Sequence, residues 1–261
     1  MGQELFIFKE IALLVTHYNR SLSLERLLQS FIDKRVRFNE IVVSDDGSKE
    51  EHLSYLHQLK EKFGFKLICS DINRGLANNI NKGQRAVNSP FTLYIQEDFI
   101  PTEQFPRRLK EGLELMKKDS QIDLVRFYAY HKHPYLKPIQ YGFSEMEFHF
   151  WRPNFWQFWC YSDHPHLRKS SFLERFGNFR EGLNSDRAEF KMAISFVQKK
   201  GKSIIHESFR DIFIQANSQA EPSQVPRKQF RKYLQLTDFF PIKIIRTIYR
   251  NIKFRIDYLI T

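Results

Sequence analysis

The chain has 261 residues, of which 42% are hydrophobic and 27% are charged. This composition is that of a globular protein with one large core. Two cysteines, Cys69 and Cys160, exclude a disulfide framework, and the apolar run that contains Cys69 predicts a buried, reduced thiol. No apolar run reaches the roughly 18 residues that a membrane-spanning helix needs.

The net charge of +11 is concentrated near the C-terminus. Residues 227–261 contain nine Lys or Arg and two Asp, a net charge of +7, which leaves +4 for the preceding residues. A basic segment of this kind favours an anionic partner. Residues 1–9 are too short and too interrupted for a signal peptide, so we expect the protein in the cytoplasm.

Short apolar runs alternate with helix-length segments in the first hundred residues. The predicted strands are residues 11–15, 41–43, 65–69 and 91–95. This alternation predicts βα units and a parallel sheet. Further on, the pattern predicts helices at 104–118 and 187–200, strands at 122–127 and 203–206, and a last helix after Pro241.

Two acidic clusters follow predicted strands. Asp45 and Asp46 follow the second strand, and Glu97 and Asp98 follow the fourth. Ligands of open α/β sheets collect just past the carboxyl ends of the strands. Carboxylates at that edge can hold a divalent metal that neutralises phosphates, or accept hydrogen bonds from a base and a sugar. The alternatives are a helix cap at Ser48 and a solvated turn after residue 98.

The order of the motifs resembles the nucleotide-sugar half of family 2 glycosyltransferases, over residues 11 to about 100. The blocks that carry the resemblance are Thr16-His17-Tyr18-Asn19-Arg20, Asp45-Asp46-Gly47-Ser48, and Asn73-Arg74-Gly75-Leu76-Ala77 with Asn81 and Gly83. Glu97-Asp98 stands where that family has its metal-binding Asp-x-Asp motif, although Gln96-Glu97-Asp98 is not a literal copy.

The resemblance implies an α/β protein of the GT-A fold, which is Rossmann-like with a mostly parallel central sheet flanked by helices. Its nucleotide-sugar half would be residues 1–100, and the acceptor-binding and catalytic half would be residues 101–214. A linker and a basic amphipathic helical tail would follow at residues 215–261.

The resemblance also implies a metal-dependent, inverting transfer of a sugar to a hydroxyl of a glycan or lipid-linked acceptor, in polysaccharide synthesis. The donor would be a nucleotide sugar, with a UDP-sugar favoured, and Asp98 would hold Mn²⁺ or Mg²⁺. The implied nucleotide-sugar-binding residues are Thr16, Tyr18, Asn19, Asp45, Asp46, Arg74 and Glu97. The alternative is a catalytically degenerate relative that only binds a sugar nucleotide or a glycan.

The catalytic base implied by the resemblance is an acidic residue near the start of a helix, followed by a glycine some 11 or 12 residues later. Glu189 precedes Gly201 by 12 residues, and Asp186 lies at the start of the same predicted helix. Either carboxylate could deprotonate a hydroxyl, and Glu189 is favoured. The family's second carboxylate is replaced by Phe190. The structural alternatives are a helix cap for Asp186 and a helix-dipole contact for Glu189.

Two further features suggest partners. Isoleucines recur at helical spacing between residues 242 and 259, with Lys and Arg interleaved. This pattern predicts an amphipathic helix on an anionic membrane, at the inner face of the plasma membrane, or a helix packed on its own domain or in a homodimer. No nucleic-acid motif is present, so we expect no nucleic acid as partner. Trp151, Trp156 and Trp159 are candidates for an acceptor platform or for the core.

Overall fold

The computed structural model describes residues 4–216, 221 and 240–260. The strands are β1 (Phe6–His17), β2 (Val36–Asp45), β3 (Lys66–Cys69), β4 (Phe91–Gln96), β5 (Phe99–Pro101), β6 (Ile122–Arg126), β7 (Leu136–Pro138), β8 (Phe143–Met146), β9 (His166–Lys169), β10 (Lys202–His206) and β11 (Phe213–Gln215). The helices are α1 (Ser21–Asp33), α2 (Glu50–Phe63), α3 (Leu76–Arg85), α4 (Phe105–Lys118), α5 (Phe172–Phe176), α6 (Ser185–Gln198) and α7 (Phe240–Ile260). A 3₁₀ turn covers Phe155–Phe158.

Nine strands form a central sheet in the order β3-β2-β1-β4-β9-β6-β10-β8-β7. The first four strands are parallel to one another. β9 lies antiparallel between β4 and β6, so that β6 and its parallel neighbour β10 point the same way as β1. β8 is antiparallel to β10 and β7 to β8. Seven of the nine strands therefore point in one direction, which confirms the predicted mostly parallel sheet.

Helices cover both faces of this sheet. One buried cluster includes the leucines of α1, α2 and α4, and a second includes apolar residues of α3, α5 and α6. The leucines of α1 recur at helical spacing, and Leu24, Leu27 and Leu28 are all buried. The predicted α/β fold with flanking helices is confirmed.

The expected buried thiol at Cys69 is a wrong prediction. Cys69 ends β3, and its thiol is exposed. The reason is topological: β3 is the edge strand of the sheet, so a short apolar run there is only partly covered. Gln215, where the predicted linker begins, is the last residue of β11, and most of the remaining linker lies outside the described residues.

The last helix, α7, packs on the domain through aromatic side chains. The ring of Phe254 lies 4.4 Å from that of Phe190 and 5.5 Å from that of Phe155, between ring centroids. Asp257 is buried and lies within 4 Å of Arg187 and Lys191. Among the described helices, none is both long enough and apolar enough to cross a bilayer.

A different face of α7 points away from the domain. Its six most regularly spaced apolar residues are between 51% and 70% exposed. These residues, called the outer stripe below, are Ile245, Ile248, Tyr249, Ile252, Ile256 and Leu259. At about 100° per residue, the stripe lies roughly opposite Phe254 on the helix. The helix therefore packs on its own domain, which was one of the two predicted arrangements, but the isoleucines of the outer stripe do not form the contact.

Candidate active site

The carboxyl ends of β1, β2 and β4 meet at one edge of the sheet. The register aligns His17 of β1 with Asp45 of β2, and Thr16 of β1 with Gln96 of β4. The two acidic clusters therefore lie on either side of the end of β1. The parallel pairing predicted from the sequence explains why segments more than fifty residues apart reach the same edge.

Asp45 holds the first loop together. Its carboxylate pairs with His17 Nδ1 at 2.7 Å and accepts hydrogen bonds from the hydroxyl and backbone N–H of Ser48, at 2.5 and 3.0 Å. Burial opposes ionisation of Asp45, but these hydrogen bonds outweigh it and lower its pKa. Ser48 is not the helix cap, since α2 begins at Glu50 and its cap position is Lys49.

Asp46 connects the end of β2 to the start of α3. Its two carboxylate oxygens accept hydrogen bonds from the backbone N–H groups of Arg74, at 2.9 Å, and Gly75, at 2.8 Å. Burial raises its pKa in spite of these bonds. Gly47 follows at φ +71°, and a Cβ there would lie 2.4 Å from the carbonyl carbon of Ile72. Only glycine fits this turn, which explains the sequence Asp-Asp-Gly.

The end of β1 carries three of the predicted nucleotide-sugar-binding residues. Thr16 is buried, and its hydroxyl lies 3.1 Å from that of Tyr94. The backbone N–H of Asn19 donates a hydrogen bond to the hydroxyl oxygen of Ser48, at 2.8 Å. Tyr18 is half-buried beside it. Arg74 contributes its backbone to Asp46 and is exposed at the rim.

Glu97 and Asp98 form the turn after β4, where they share a cation. The guanidinium of Arg20 lies 3.4 Å from Glu97 Oε1 and 3.7 Å from Asp98 Oδ2. Burial raises the pKa of Glu97 to about 8. The sequence motif included Arg20, but the prediction gave it no role, because only the fold reveals which carboxylates it faces.

The residues at this turn fit a divalent metal. Asp98 Oδ1 is buried and has no hydrogen-bond partner among the described residues, while Asp98 Oδ2 accepts from Gln215 at 2.8 Å. Carboxylate oxygens are the ligands that Mg²⁺ and Mn²⁺ prefer. Across the described part of the chain, no group of three His, Cys, Asp or Glu side chains could hold a metal alone. The ion would therefore need oxygens from a bound ligand as well.

A cavity of about 240 Å³ opens beside this turn. Its walls include both candidate bases, Glu189 and Asp186, together with Trp156, Trp159 and His164. The ring of His164 lies 6.1 Å from that of Phe99, the residue after Asp98, between centroids. The cavity and the acidic turn are thus neighbours. Trp151, in contrast, is 86% exposed.

The two candidate bases are held differently. Glu189 Oε1 accepts a hydrogen bond from the backbone N–H of Asp163, at 2.9 Å, and burial raises the pKa of Glu189. Asp186 is exposed in the first turn of α6. It is not the cap of that helix, because the side chain of Asn184 accepts from the backbone N–H of Arg187. Phe190 is in the core, 5.6 Å from the ring of Trp159.

Together, the mostly parallel sheet, the acidic clusters at its carboxyl edge and the adjoining cavity define an α/β protein with a candidate ligand site at the ends of its strands. The chain belongs to glycosyl transferase family 2, whose family model matches residues 12–177. It is similar to a poly-beta-1,6-N-acetyl-D-glucosamine synthase of Staphylococcus epidermidis, with 24% identity over 115 residues, which is 44% of this chain and 27% of that protein. The chain thus matches about a quarter of the length of this curated relative.

Solved structures confirm the GT-A fold. The S. aureus TarS 1–349 structure in complex with UDP-GlcNAc gives a TM-score of 0.55 at 17% identity, and covers 75% of this chain and 55% of that one. The mannosyltransferase PcManGT from Pyrobaculum calidifontis, in complex with GDP-Man and Mn²⁺, gives 0.54 at 13% identity. That match covers 99% of this chain and 76% of the other.

Proposed function

We propose that the protein transfers a sugar from a nucleotide sugar, with a UDP-sugar as donor, to a hydroxyl of a glycan or lipid-linked acceptor in surface polysaccharide synthesis. The observation that carries this proposal is the meeting of two features at one sheet edge. The acidic turn with the open oxygen of Asp98 is connected, through Gln215 and Tyr130, to a cavity that contains a candidate base, Glu189. Family membership and the ligands named for the similar structures support the same reading.

The donor would lie across the ends of β1, β2 and β4. Thr16, Tyr18, Asn19, Asp45, Asp46 and Arg74 are the proposed surroundings of the nucleotide. Asp98, with Glu97 beside it, is the proposed holder of Mn²⁺ or Mg²⁺. When bound, such an ion supplies positive charge that stabilises the diphosphate leaving group. Arg20 adds a fixed positive charge at the same turn.

The acceptor would enter the cavity with a hydroxyl at Glu189. The Glu189 carboxylate takes the hydroxyl proton while the oxygen bonds to the anomeric carbon, and the bond from that carbon to the diphosphate oxygen breaks. Attack from the face opposite the diphosphate inverts the configuration. The hydrogen bond from Asp163 N–H orients Glu189. Trp156 and Trp159 offer aromatic surface to a sugar ring.

The test is a screen of UDP- and GDP-sugars with Mn²⁺ for transfer to glycan acceptors, followed by NMR of the product. The proposal expects a product with the anomeric configuration opposite to that of the donor. A product with retained configuration would contradict the direct displacement.

The second candidate is a sugar-nucleotide or glycan-binding module without catalysis. Phe190 occupies the core where the family has its second carboxylate, and this observation favours a degenerate relative. Slow hydrolysis of a sugar nucleotide by the purified protein, lost when Glu189 is replaced, would exclude this alternative.

The proposed location is the cytoplasmic face of an anionic membrane, with residues 242–259 as the contact. The outer stripe of α7 exposes apolar side chains, while Phe254 on the opposite face packs on the domain. Arg246 and Lys253 flank the stripe at helical spacing and are exposed. An apolar stripe with a basic border suits an anionic bilayer surface. A homodimer through the same stripe is the competing partner, and it would bring these like charges together.

A further inference from the structure

Arg126 is a buried cation whose hydrogen-bond partners, among the described residues, are two neutral backbone carbonyls. It ends β6 at the active-site edge of the sheet, is 5% exposed, and lines the cavity that contains Glu189. Its terminal nitrogens donate to the backbone carbonyls of Trp159, at 2.8 Å, and Tyr128, at 3.4 Å. Among the residues that the structure describes, its Nε has no hydrogen-bond partner and its guanidinium forms no ion pair.

This guanidinium remains charged inside the protein. Burial lowers the pKa of Arg126 to about 10, which still leaves it protonated at neutral pH. A buried charge that is not paired with a counter-charge destabilises the fold unless a ligand compensates it. Glu189 lies near enough to favour the charge of Arg126, but its Oε1 is held by the N–H of Asp163.

Trp159, a second residue of the same cavity wall, carries a buried donor. Its indole Nε1 has no hydrogen-bond partner within the part of the chain that the structure describes. The carbonyl of Trp159 meanwhile accepts from Arg126, so the two side chains are tied together. Lys132 is exposed where it lines the cavity and adds a second positive charge. Two buried N–H donors without acceptors, together with two cations, are suited to an oxyanion.

We propose that Arg126 and the Nε1 of Trp159 bind an anionic group of the acceptor, a phosphate or a carboxylate, in the cavity beside Glu189. The acceptor is then not a neutral glycan but one that carries an acidic group close to the hydroxyl that is glycosylated. This inference rests on the proposed function, in which the cavity receives the acceptor. The anion on Arg126 would fix the acceptor in register, so that its neighbouring hydroxyl meets Glu189.

The test uses sn-glycerol 3-phosphate as the probe and glycerol as its neutral counterpart. Both are titrated into the full chain by calorimetry, in the presence of saturating UDP and Mn²⁺ to occupy the donor site. The proposal expects glycerol 3-phosphate to bind and glycerol not to bind. Binding that disappears when UDP is added would assign the anion site to the donor diphosphate and overturn the assignment to the acceptor.

Two variants locate the site. Arg126→Gln should weaken glycerol 3-phosphate binding by about tenfold or more, because a charge-assisted hydrogen bond is lost. Trp159→Phe keeps an aromatic ring against Phe190 but removes the N–H, and should weaken binding by several fold. The matched controls are Arg37→Gln and Trp151→Phe, at exposed positions outside the cavity.

Each outcome has a separate meaning. If Arg126→Gln does not fold, Trp159→Phe and Arg126→Lys still decide the matter, since Lys keeps the charge but loses the paired donors. Unchanged glycerol 3-phosphate binding in both Arg126→Lys and Trp159→Phe would overturn the inference. UDP binding is measured on the same proteins. If the wild type does not bind UDP, the proposed function is contradicted. If it binds UDP but not glycerol 3-phosphate, only the proposed anion site is contradicted.

Discussion

At the scale of single residues, Asp98 is poised for an ion because its two oxygens are in different states. Oδ2 accepts a hydrogen bond from Gln215 and lies 3.7 Å from Arg20, while Oδ1 is buried with no partner in the described part of the chain. Two carboxylates and one guanidinium leave the turn short of positive charge when Glu97 is ionised. A divalent metal ion would coordinate the open oxygen of Asp98 and supply the missing positive charge, and a diphosphate could then bind to that ion.

Glu189, not Asp186, is expected to be the base. Glu189→Gln should lower kcat by about 10²- to 10⁴-fold, the usual contribution of general-base catalysis, without changing nucleotide binding. Asp186→Asn should cost much less, because that side chain is exposed. The measurement is steady-state sugar transfer by both variants, and an equal loss in the two would contradict the assignment.

The pH profile gives a second readout for the same residue. Burial raises the pKa of Glu189, and a base must be ionised to accept a proton. The rate should therefore rise with pH through a pKa above the usual carboxyl value, and Glu189→Gln should lose that limb of the profile.

The sequence predicted that the acidic clusters follow strands, and the structure has them there, but it did not predict the contacts of the individual side chains. The sequence was enough to predict that Asp45 and Asp46 lie at a strand end. It could not reveal that Asp45 would be tied to His17 and Ser48, because that depends on loop geometry. Arg126 carries no signal of its own, since an arginine at the end of an apolar strand is unremarkable until its neighbours are known.

At the scale of elements, the periodicity of apolar residues in α7 predicted a helix but not the face by which that helix packs on the domain. The spacing of the isoleucines predicted the helix and its amphipathic character. It did not predict the docking face, which is formed by Phe254 and Tyr258 instead. The surface they contact, including Phe155 and Phe190, is far away in sequence and is assembled only by the fold. An amphipathic helix can thus have a second apolar face.

The outer stripe is expected to bind vesicles that contain anionic lipid. Ile245→Asp together with Ile252→Asp should abolish co-sedimentation with phosphatidylglycerol vesicles, since both residues are more than half exposed and the charge would have to enter the interface. Thermal stability should barely change. Ile32→Asp, at a 55% exposed position on α1, is the matched control.

Two results would count against the membrane. If the double variant still co-sediments, the stripe is not the contact. If the wild type does not co-sediment with the vesicles and forms a dimer in solution, whereas the double variant is monomeric, the stripe joins two copies of the chain instead.

At the scale of the whole molecule, the βα rhythm was sufficient for the parallel half of the sheet. The strand order of the other half was harder to predict from the sequence, because β9 is inserted antiparallel between β4 and β6, with His166 aligned with Tyr94. Such a pairing spans some seventy residues and leaves no local pattern. The division into residues 1–100, 101–214 and 215–261 stays a prediction.

The free energy of unfolding should depend on pH through the buried side chain of His133. Burial lowers the pKa of His133 to about 4, so between pH 6.5 and 4 the unfolded chain binds a proton there that the folded chain does not. The contribution of His133 to the free energy of unfolding should therefore fall by about 1.4 kcal/mol per pH unit as the pH drops through that window.

The measurement is denaturant unfolding of the wild type and His133→Gln at several pH values. The stability gap between the two should narrow as the pH falls from 6.5 towards 4. A gap that does not change with pH would mean that His133 titrates normally in the folded protein.

The central claim is that the carboxyl edge of the sheet binds a nucleotide diphosphate through a metal at Asp98. The most direct test is calorimetric titration of UDP, with and without Mn²⁺, into the wild type, Asp98→Asn and the exposed control Asp33→Asn. We expect Mn²⁺ to strengthen UDP binding by about tenfold or more in the wild type and in Asp33→Asn, but not in Asp98→Asn. Equal strengthening in all three proteins, or no UDP binding at all, would contradict the account.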